Sequence, residues 1–194
     1  MTQIIAVLNH KGGVGKSTTA VSLAAALQLS KKNVLAIDMD GQANLTEALG
    51  LSIDEEQTVY GAMCGQYTLP LVKLHNGITV SPSCLDLSAA ELELISEPGR
   101  ELILKGLITK AIAKEHFDYI IIDCPPLNAV ADAIPVSSIV DGTLFVVSAM
   151  DTAKQEAKNA LTMLQRNGAN VLGCVLTKVD ITSKSYYSYY GNYN

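Results

Sequence analysis

Short apolar runs alternate along the chain with longer stretches that carry apolar residues at helical spacing. Runs of four to eight apolar residues bounded by turn residues predict buried strands, and the longer periodic stretches predict helices. The predicted strands are residues 4–9, 33–38, 78–83, 119–123, 143–148 and 170–177, and the predicted helices are residues 17–29, 98–115 and 152–166. Strands that alternate with helices favour right-handed crossovers, so we expect one doubly wound, mostly parallel α/β sheet flanked by helices.

Composition agrees with a sheet that is covered on both faces. Of the 194 residues, 48% are hydrophobic and only 17% are charged, which suits parallel strands that are buried on both sides. We expect residues 1–182 to form a single domain and residues 183–194 to form a tyrosine-rich, disordered tail. Met1 leads almost directly into a strand-like run without a basic, apolar leader, so the expected location is the cytoplasm.

The loop between the first predicted strand and the first predicted helix carries a phosphate-binding motif. Its glycines let several backbone N–H groups point inward at phosphate oxygens, and the following helix adds its positive end. Lys16 is expected to reach the β and γ phosphates, and the Ser17 hydroxyl to ligate Mg²⁺. The predicted ATP-binding residues of this loop are Gly12, Gly13, Val14, Gly15, Lys16, Ser17 and Thr18. The alternative is a glycine-rich turn without a ligand.

Acidic residues end two of the predicted strands. Asp123 follows four apolar residues, as expected for a carboxylate that holds Mg²⁺ through water. Asp38 and Asp40 follow another apolar run, and carboxyl ends of parallel strands face the ligand crevice. We expect Asp40 to orient the attacking water and Asp38 to support the metal. Alternatively, each aspartate only ends a strand or caps a turn.

Three segments resemble the deviant Walker A ATPases of the ParA/MinD class. They are KGGVGKST, AIDMDGQANLT and YIIIDCPP, and the likeness to ParA partition proteins runs from Met1 to about Pro126. The resemblance implies a P-loop NTPase fold and catalytic roles for Lys11, Lys16 and Asp40. It also implies that Lys11 reaches the phosphates of ATP held by another subunit. The expected protein is thus a Mg·ATP-dependent homodimer that acts as a switch in DNA or cargo partitioning, with a possible activator protein as partner. The alternative for Lys11 is a solvated loop lysine.

After Pro126 the segments VDGTLFVVSAMDT, GANVLGCVLTKVD and SYYSYYGNY resemble bacterial tyrosine kinases of the polysaccharide-export type. That resemblance implies autophosphorylation in trans, with the candidate acceptors Tyr186, Tyr187, Tyr189, Tyr190 and Tyr193. The additional lysine, Lys11, departs from the loop that is usual in those kinases. A tyrosine autokinase is therefore the alternative function, and a disordered or adhesive tail is the alternative for the tyrosines.

The last predicted strand runs into TKVD, at a position where related P-loop folds recognise the base. Here the Lys178 stem would lie along adenine and Asp180 would accept a hydrogen bond from it, with Thr177 beside them. A plain exit from the strand is the alternative. The net charge of −5 argues against a broad basic face for DNA. A local basic patch is still compatible with this charge, so DNA binding stays open. No terminal amphipathic helix is evident, and direct membrane insertion is not expected.

Overall fold

The computed structural model describes residues 1–9, 11–52, 57–88, 100–126, 139–180 and 182. Within this part of the chain, seven strands form one sheet in the order β3-β4-β2-β5-β1-β6-β7. All neighbouring strands are parallel except β3, which runs antiparallel to β4. The strands are β1 (Gln3–Leu8), β2 (Val34–Asp38), β3 (Val72–Lys73), β4 (Thr79–Ser81), β5 (Tyr119–Asp123), β6 (Gly142–Ser148) and β7 (Val171–Thr177). The predicted doubly wound fold is confirmed.

Five helices are described. They are α1 (Lys16–Leu29), α2 (Asn44–Ala48), α3 (Val59–Met63), α4 (Arg100–Lys114) and α5 (Lys154–Arg166). The predicted start of α5 at residue 152 is two residues early, because Ala153 is extended and its amide donates to the Glu156 carboxylate at 3.2 Å. The predicted start of α4 at Pro98 lies outside the described residues. No helix in the described ranges is both long and apolar enough to cross a bilayer.

The central strands bury side chains on both faces of the sheet. Along β5, Ile121 packs into one apolar cluster and Ile122 into the other, as the two-residue period of a strand requires. The first cluster includes Ala20 and Ala24 of α1, and the second includes Leu107 of α4. Helices therefore cover both faces, and this is why the strands read as nearly continuous apolar runs.

The strand register brings the functional candidates together. Asp38, the last residue of β2, is the register partner of Asp123, the last residue of β5. Asp123 also aligns with Val7 of β1, one residue before that strand ends. The loops that follow β1, β2 and β5 therefore leave the sheet at the same edge, where open α/β sheets bind ligands.

Candidate functional site

The loop between β1 and α1 presents an open helix N-terminus. Gly15 precedes α1 in a left-handed conformation (φ 94°, ψ 28°), which a residue with a Cβ adopts only at a cost. No side chain of the described residues caps this terminus, and the first turn of α1 carries no acidic residue. The first amides of α1 are thus free of the usual side-chain acceptors, and the helix dipole adds positive potential there. The arrangement is suited to an anion.

A cavity of about 1130 Å³ opens at this terminus. This volume slightly exceeds the usual range for small-molecule sites and leaves room for a nucleotide. All seven loop residues predicted to bind ATP, Gly12 through Thr18, line it. Its other lining residues come from α1 and from the segments around several strand ends: Thr19, Ser22, Leu23, Asp40, Gln42, Asn44, Ala48, Pro126, Leu144, Val175, Thr177 and Lys178.

Lys16 places a buried positive charge in this cavity. Its side chain is only 5% exposed, and its Nζ lies 4.0 Å from Asp40 Oδ2, at the outer limit of an ion pair. A buried ammonium with so distant a partner gains little from the pair and retains donors for another anion. This placement fits the predicted contact between Lys16 and phosphate.

Asp123 is a buried carboxylate without a hydrogen-bond partner in the described part of the chain. Neither of its oxygens meets the geometry of a hydrogen bond, and the residue is fully buried. Burial raises its pKa to about 7, the nearby Ser17 hydroxyl lowers the pKa in part, and the charges of Asp38 and Lys16 act in opposite directions. An orphaned carboxylate close to a hydroxyl is a donor set that suits a hard cation such as Mg²⁺.

The residues present fit a metal that is shared with a nucleotide. The described residues contain no group of three or more His, Cys, Asp or Glu side chains arranged to hold a metal ion. Mg²⁺ characteristically takes one or two protein oxygens and completes its octahedron with water and phosphate oxygens. Ser17 and Asp123 are the side chains that would hold it here.

Asp38 is placed differently from the metal role predicted from the sequence. Its Oδ1 accepts the Asp40 amide at 3.1 Å, and its Oδ2 accepts both the amide and the hydroxyl of Thr46 at 2.9 and 2.7 Å. Burial raises the pKa of Asp38, and these hydrogen bonds oppose the rise. Because both oxygens of Asp38 already accept hydrogen bonds from the protein's own donors, the geometry favours a positioning role over a metal role.

Asp40 lies where a residue that orients water is needed. Its Oδ1 accepts the Gln42 amide at 3.0 Å, while Oδ2 points toward Lys16. The side chain lines the cavity although it is only 8% exposed. One oxygen therefore fixes the side chain and the other is available to the cavity.

Lys11 is held by its own chain. Its Nζ donates to Glu156 Oε2 at 2.6 Å and to the Asp151 carbonyl at 3.2 Å. The two charged side chains of this pair are 38% and 47% exposed. Sequence reasoning missed both partners, since they lie 140 or more residues from Lys11 and only the fold brings them near.

The three base-recognition candidates separate in the structure. Thr177 donates its hydroxyl to the Val14 carbonyl at 2.6 Å and so supports the phosphate loop. Lys178 lines the cavity and pairs with Asp151 at 2.6 Å. Asp180 is exposed, does not line the cavity and accepts from the amide and hydroxyl of Thr182. The geometry favours Lys178 over Asp180 as a residue near a base.

The remaining candidates lie outside the described residues. These are the five tail tyrosines, Tyr186, Tyr187, Tyr189, Tyr190 and Tyr193.

Comparisons with known proteins agree on one family. A family profile described as an AAA domain matches residues 2–174. The chain is 33% identical over 194 residues to the chromosome-partitioning ATPase Soj of Treponema pallidum, covering 95% of this chain and 74% of that protein. It is 42% identical over 130 residues to the sporulation initiation inhibitor protein Soj of Bacillus subtilis, covering 65% of this chain and 51% of that protein.

A solved structure supports the same fold. Cobyrinic acid a,c-diamide synthase from Mycobacterium smegmatis, with a bound ATP analogue and magnesium, superposes with a TM-score of 0.82 at 28% identity, covering 92% of this chain and 78% of that one.

The family match also extends to residue 174, well past Pro126, where the likeness to partition proteins was expected to fade. The chain spans about half the length of the Bacillus protein and about three quarters of the Treponema protein.

Removing the buried charge of Asp123 should stabilise the nucleotide-free protein at high pH. The pKa of Asp123 is raised from 3.8 to about 7 in the folded protein, so between these pH values the folded state binds a proton that the unfolded state has lost. The free energy of unfolding therefore falls as the pH rises from about 4 through 7. We expect Asp123→Asn to increase the free energy of unfolding by roughly 2–4 kcal/mol at pH 8 and by less than half as much at pH 5.

Urea unfolding without nucleotide or Mg²⁺ at both pH values measures this difference. Asp86→Asn, which changes an exposed carboxylate, is the matched control and should show no comparable gain. An Asp123→Asn protein that is less stable than wild type at pH 8 would contradict the conclusion that the buried Asp123 carboxylate has no stabilising partner.

Proposed function

The chain belongs to the ParA/MinD-like P-loop ATPases, and we propose on this premise that it binds Mg·ATP, hydrolyses it and dimerises in response to it. The observation that carries the proposal is the meeting of buried Lys16 and unpartnered Asp123 at an uncapped helix N-terminus. The name of the Treponema relative connects that protein with chromosome partitioning. The proposed role is accordingly a switch in the partitioning of DNA or another cargo, regulated by a partner protein.

Phosphate binding is assigned to the loop and to the start of α1. The backbone amides of Gly12 through Ser17 surround the β and γ phosphates, and the Lys16 ammonium contacts them as a charge-assisted donor. Ser17 and Asp123 would hold Mg²⁺, Asp123 through water, and the bound ion would supply positive charge that offsets the charge of the β and γ phosphates. Lys178, which lines the cavity, is assigned to the base.

Hydrolysis is assigned to water held by Asp40. The free Oδ2 accepts a hydrogen bond from the water and directs its oxygen toward the γ-phosphorus. Lys16, whose Nζ lies 4.0 Å from that oxygen, is assigned to the same γ-phosphate that the water attacks. Positioning and charge stabilisation supply most of the catalysis in phosphoryl transfer.

Dimerisation is assigned to Lys11, which must first leave Glu156. The pair is partly exposed, and pairs of this kind contribute about 0–1 kcal/mol. The phosphates of a nucleotide on a second copy carry several negative charges and offer stronger charge-assisted hydrogen bonds than one carboxylate. The ion pair with Glu156 therefore restrains Lys11 only weakly in the monomer. It breaks when a second copy of the chain presents its bound ATP to Lys11.

The kinase alternative receives no support from a particular contact or relative. Its candidate acceptors lie outside the described residues, and the family profile covers the chain up to residue 174. Intact mass after incubation with Mg·ATP separates the two functions. The proposed ATPase releases ADP at constant protein mass, whereas an autokinase gains phosphate.

Substitutions at Lys16 and Asp40 should have different effects. Lys16→Ala removes a buried phosphate contact, so we expect no detectable ADP formation. Asp40→Ala leaves the loop intact, and we expect it to bind ATP while slowing turnover by about 10²-fold or more. Steady-state ADP release and calorimetric ATP binding measure the two effects. Lys110→Ala and Asp86→Ala change exposed residues and should match wild type. Wild-type turnover in Lys16→Ala would remove the phosphate-loop assignment.

Lys11 and Glu156 should affect dimerisation in opposite directions. Lys11→Ala loses the cross-subunit contact, so we expect a monomer with a non-hydrolysable ATP analogue, at nearly unchanged ATP affinity per chain. Glu156→Gln weakens the restraint but keeps an oxygen for the Ala153 amide. We expect it to tighten the analogue-dependent dimer by up to about fivefold, the equivalent of about 1 kcal/mol.

Sedimentation velocity with the analogue and with ADP measures both variants. Glu115→Gln, which weakens a surface pair with Lys73 of the same 2.6 Å length, is the matched control and should leave the dimer unchanged. A wild-type protein that stays monomeric with the analogue, or a Lys11→Ala protein that dimerises equally well, would exclude the cross-subunit role.

A further inference from the structure

We propose that Thr46 is a positioning residue for Asp40, acting through Asp38, and that the backbone at Ser83 and Ser88 supports the same loop. The inference rests on the proposed ATP hydrolysis. It concerns residues that contact neither the cavity nor a phosphate: Asp38, Thr46, Ser83 and Ser88 are absent from the cavity lining.

The first step is the arrangement of protons around Asp38. The carboxylate accepts from the Asp40 amide on one oxygen and from Thr46 on the other. A hydroxyl has one proton to donate, and that of Thr46 goes to Asp38 at 2.7 Å. The Thr46 oxygen then accepts the Ser83 amide at 2.9 Å. The hydrogen bonds run in one direction, from Ser83 through Thr46 to Asp38.

The second step is burial. Asp38, Thr46 and Ser83 are each 0% exposed, so water does not compete for these bonds. Fully paired polar groups in a low-dielectric setting are held rigidly, whereas an unpaired one is costly. Removing the Thr46 hydroxyl would leave the buried Ser83 amide without its acceptor and Asp38 Oδ2 with one donor instead of two.

The third step connects this chain of bonds to Asp40. The backbone amide of Asp40 donates to Asp38. The Asp40 carbonyl accepts a hydrogen bond from the Ala43 amide at 2.9 Å, and Asp40 Oδ1 accepts one from the Gln42 amide. The loop after β2 is thus attached to Asp38 at its start and continues into α2, which carries Thr46. A shift of Asp38 would move Asp40 Oδ2 relative to Lys16.

A second contact supports the loop independently. A Cβ on Gly41 would lie 2.2 Å from Ser88 Oγ and 3.1 Å from the Ser88 backbone nitrogen. Since Gly41 is not in the left-handed region, its restriction is steric: the segment after β4 lies directly against the loop that carries Asp40. Ser88 therefore packs against the Asp40 loop itself, while Ser83 supports the loop indirectly through Thr46 of α2.

The chain offers a matched pair of substitutions at Thr46. Thr46→Val keeps the shape and loses the hydroxyl, whereas Thr46→Ser keeps the hydroxyl and loses a methyl group. Because a displacement of about 1 Å can slow a reaction by about 10²-fold, we expect Thr46→Val to lower kcat at least about 10-fold. The affinity for ADP, which depends on the phosphate loop, should stay within about threefold of wild type. Thr46→Ser should restore kcat.

The readout that needs no nucleotide is amide hydrogen exchange in the empty protein. We expect faster exchange in Thr46→Val over residues 39–46 and 83–88, with α1 and β5 unchanged, and wild-type exchange in Thr46→Ser. Gly41→Ala should reproduce the Thr46→Val pattern, and it tests the Ser88 contact even where Thr46→Val fails to fold.

The outcomes separate this inference from the proposed function. A wild-type protein that forms no ADP would overturn the ATPase, while exchange would still decide the role of Thr46. Wild-type exchange in both Thr46→Val and Gly41→Ala would overturn the inference. So would a Thr46→Val protein that loses ADP affinity as strongly as kcat, or a Thr46→Ser protein as impaired as Thr46→Val.

Discussion

The structure depends on how three buried carboxylates are satisfied at one edge of a parallel sheet. Asp38, Asp40 and Asp123 lie at or just beyond the ends of β2 and β5, and Lys16 is the one buried cation recorded in the described core. Within the described residues they are satisfied unequally: Asp38 accepts from three donors, Asp40 accepts from one and lies near a distant lysine, and Asp123 accepts no hydrogen bond. The proposed roles follow this gradient. In the proposal, the fully bonded carboxylate positions the loop, the half-bonded one orients water, and the unpartnered one serves a cation.

The fold makes this arrangement possible because its core stability comes from elsewhere. The central strands pack apolar side chains on both faces against α1 on one side and α4 and α5 on the other. Burial on that scale can support an ionisable group whose pKa is raised to about 7. Buried polar groups without partners and a raised pKa, gathered at one site within an otherwise consistent fold, are characteristic of a functional site.

Much of the sheet could be predicted from sequence, and the reason is physical. Five of the six predicted strands have ends within one residue of those observed, because strands buried on both faces are continuous apolar runs. The elements that were missed, α2, α3 and β3, are five, five and two residues long, too short to show a period. The phosphate loop could be predicted because its motif consists of consecutive residues, which are visible without knowledge of the fold.

The support of the site was not predictable in the same way. Thr46 and Ser83 are 37 residues apart, and Lys11 and Glu156 are 145 apart. Neither pair has a local pattern, so only the packed sheet brings the partners together. The metal role expected for Asp38 followed from its place at a strand end; the donors that occupy it, from Thr46 and from the turn at Asp40, could not be seen in the sequence.

Calorimetric titration of ADP with and without Mg²⁺ tests the central claim most directly. If Asp123, Ser17 and the phosphates of the nucleotide together form a cation site, one ADP binds per chain. Mg²⁺ then increases the affinity for ADP by about tenfold or more, equivalent to about 1.4 kcal/mol. Asp123→Asn should bind ADP with little or no gain from Mg²⁺. Binding that is indifferent to Mg²⁺ in the wild-type protein, or no ADP binding at all, would contradict the account.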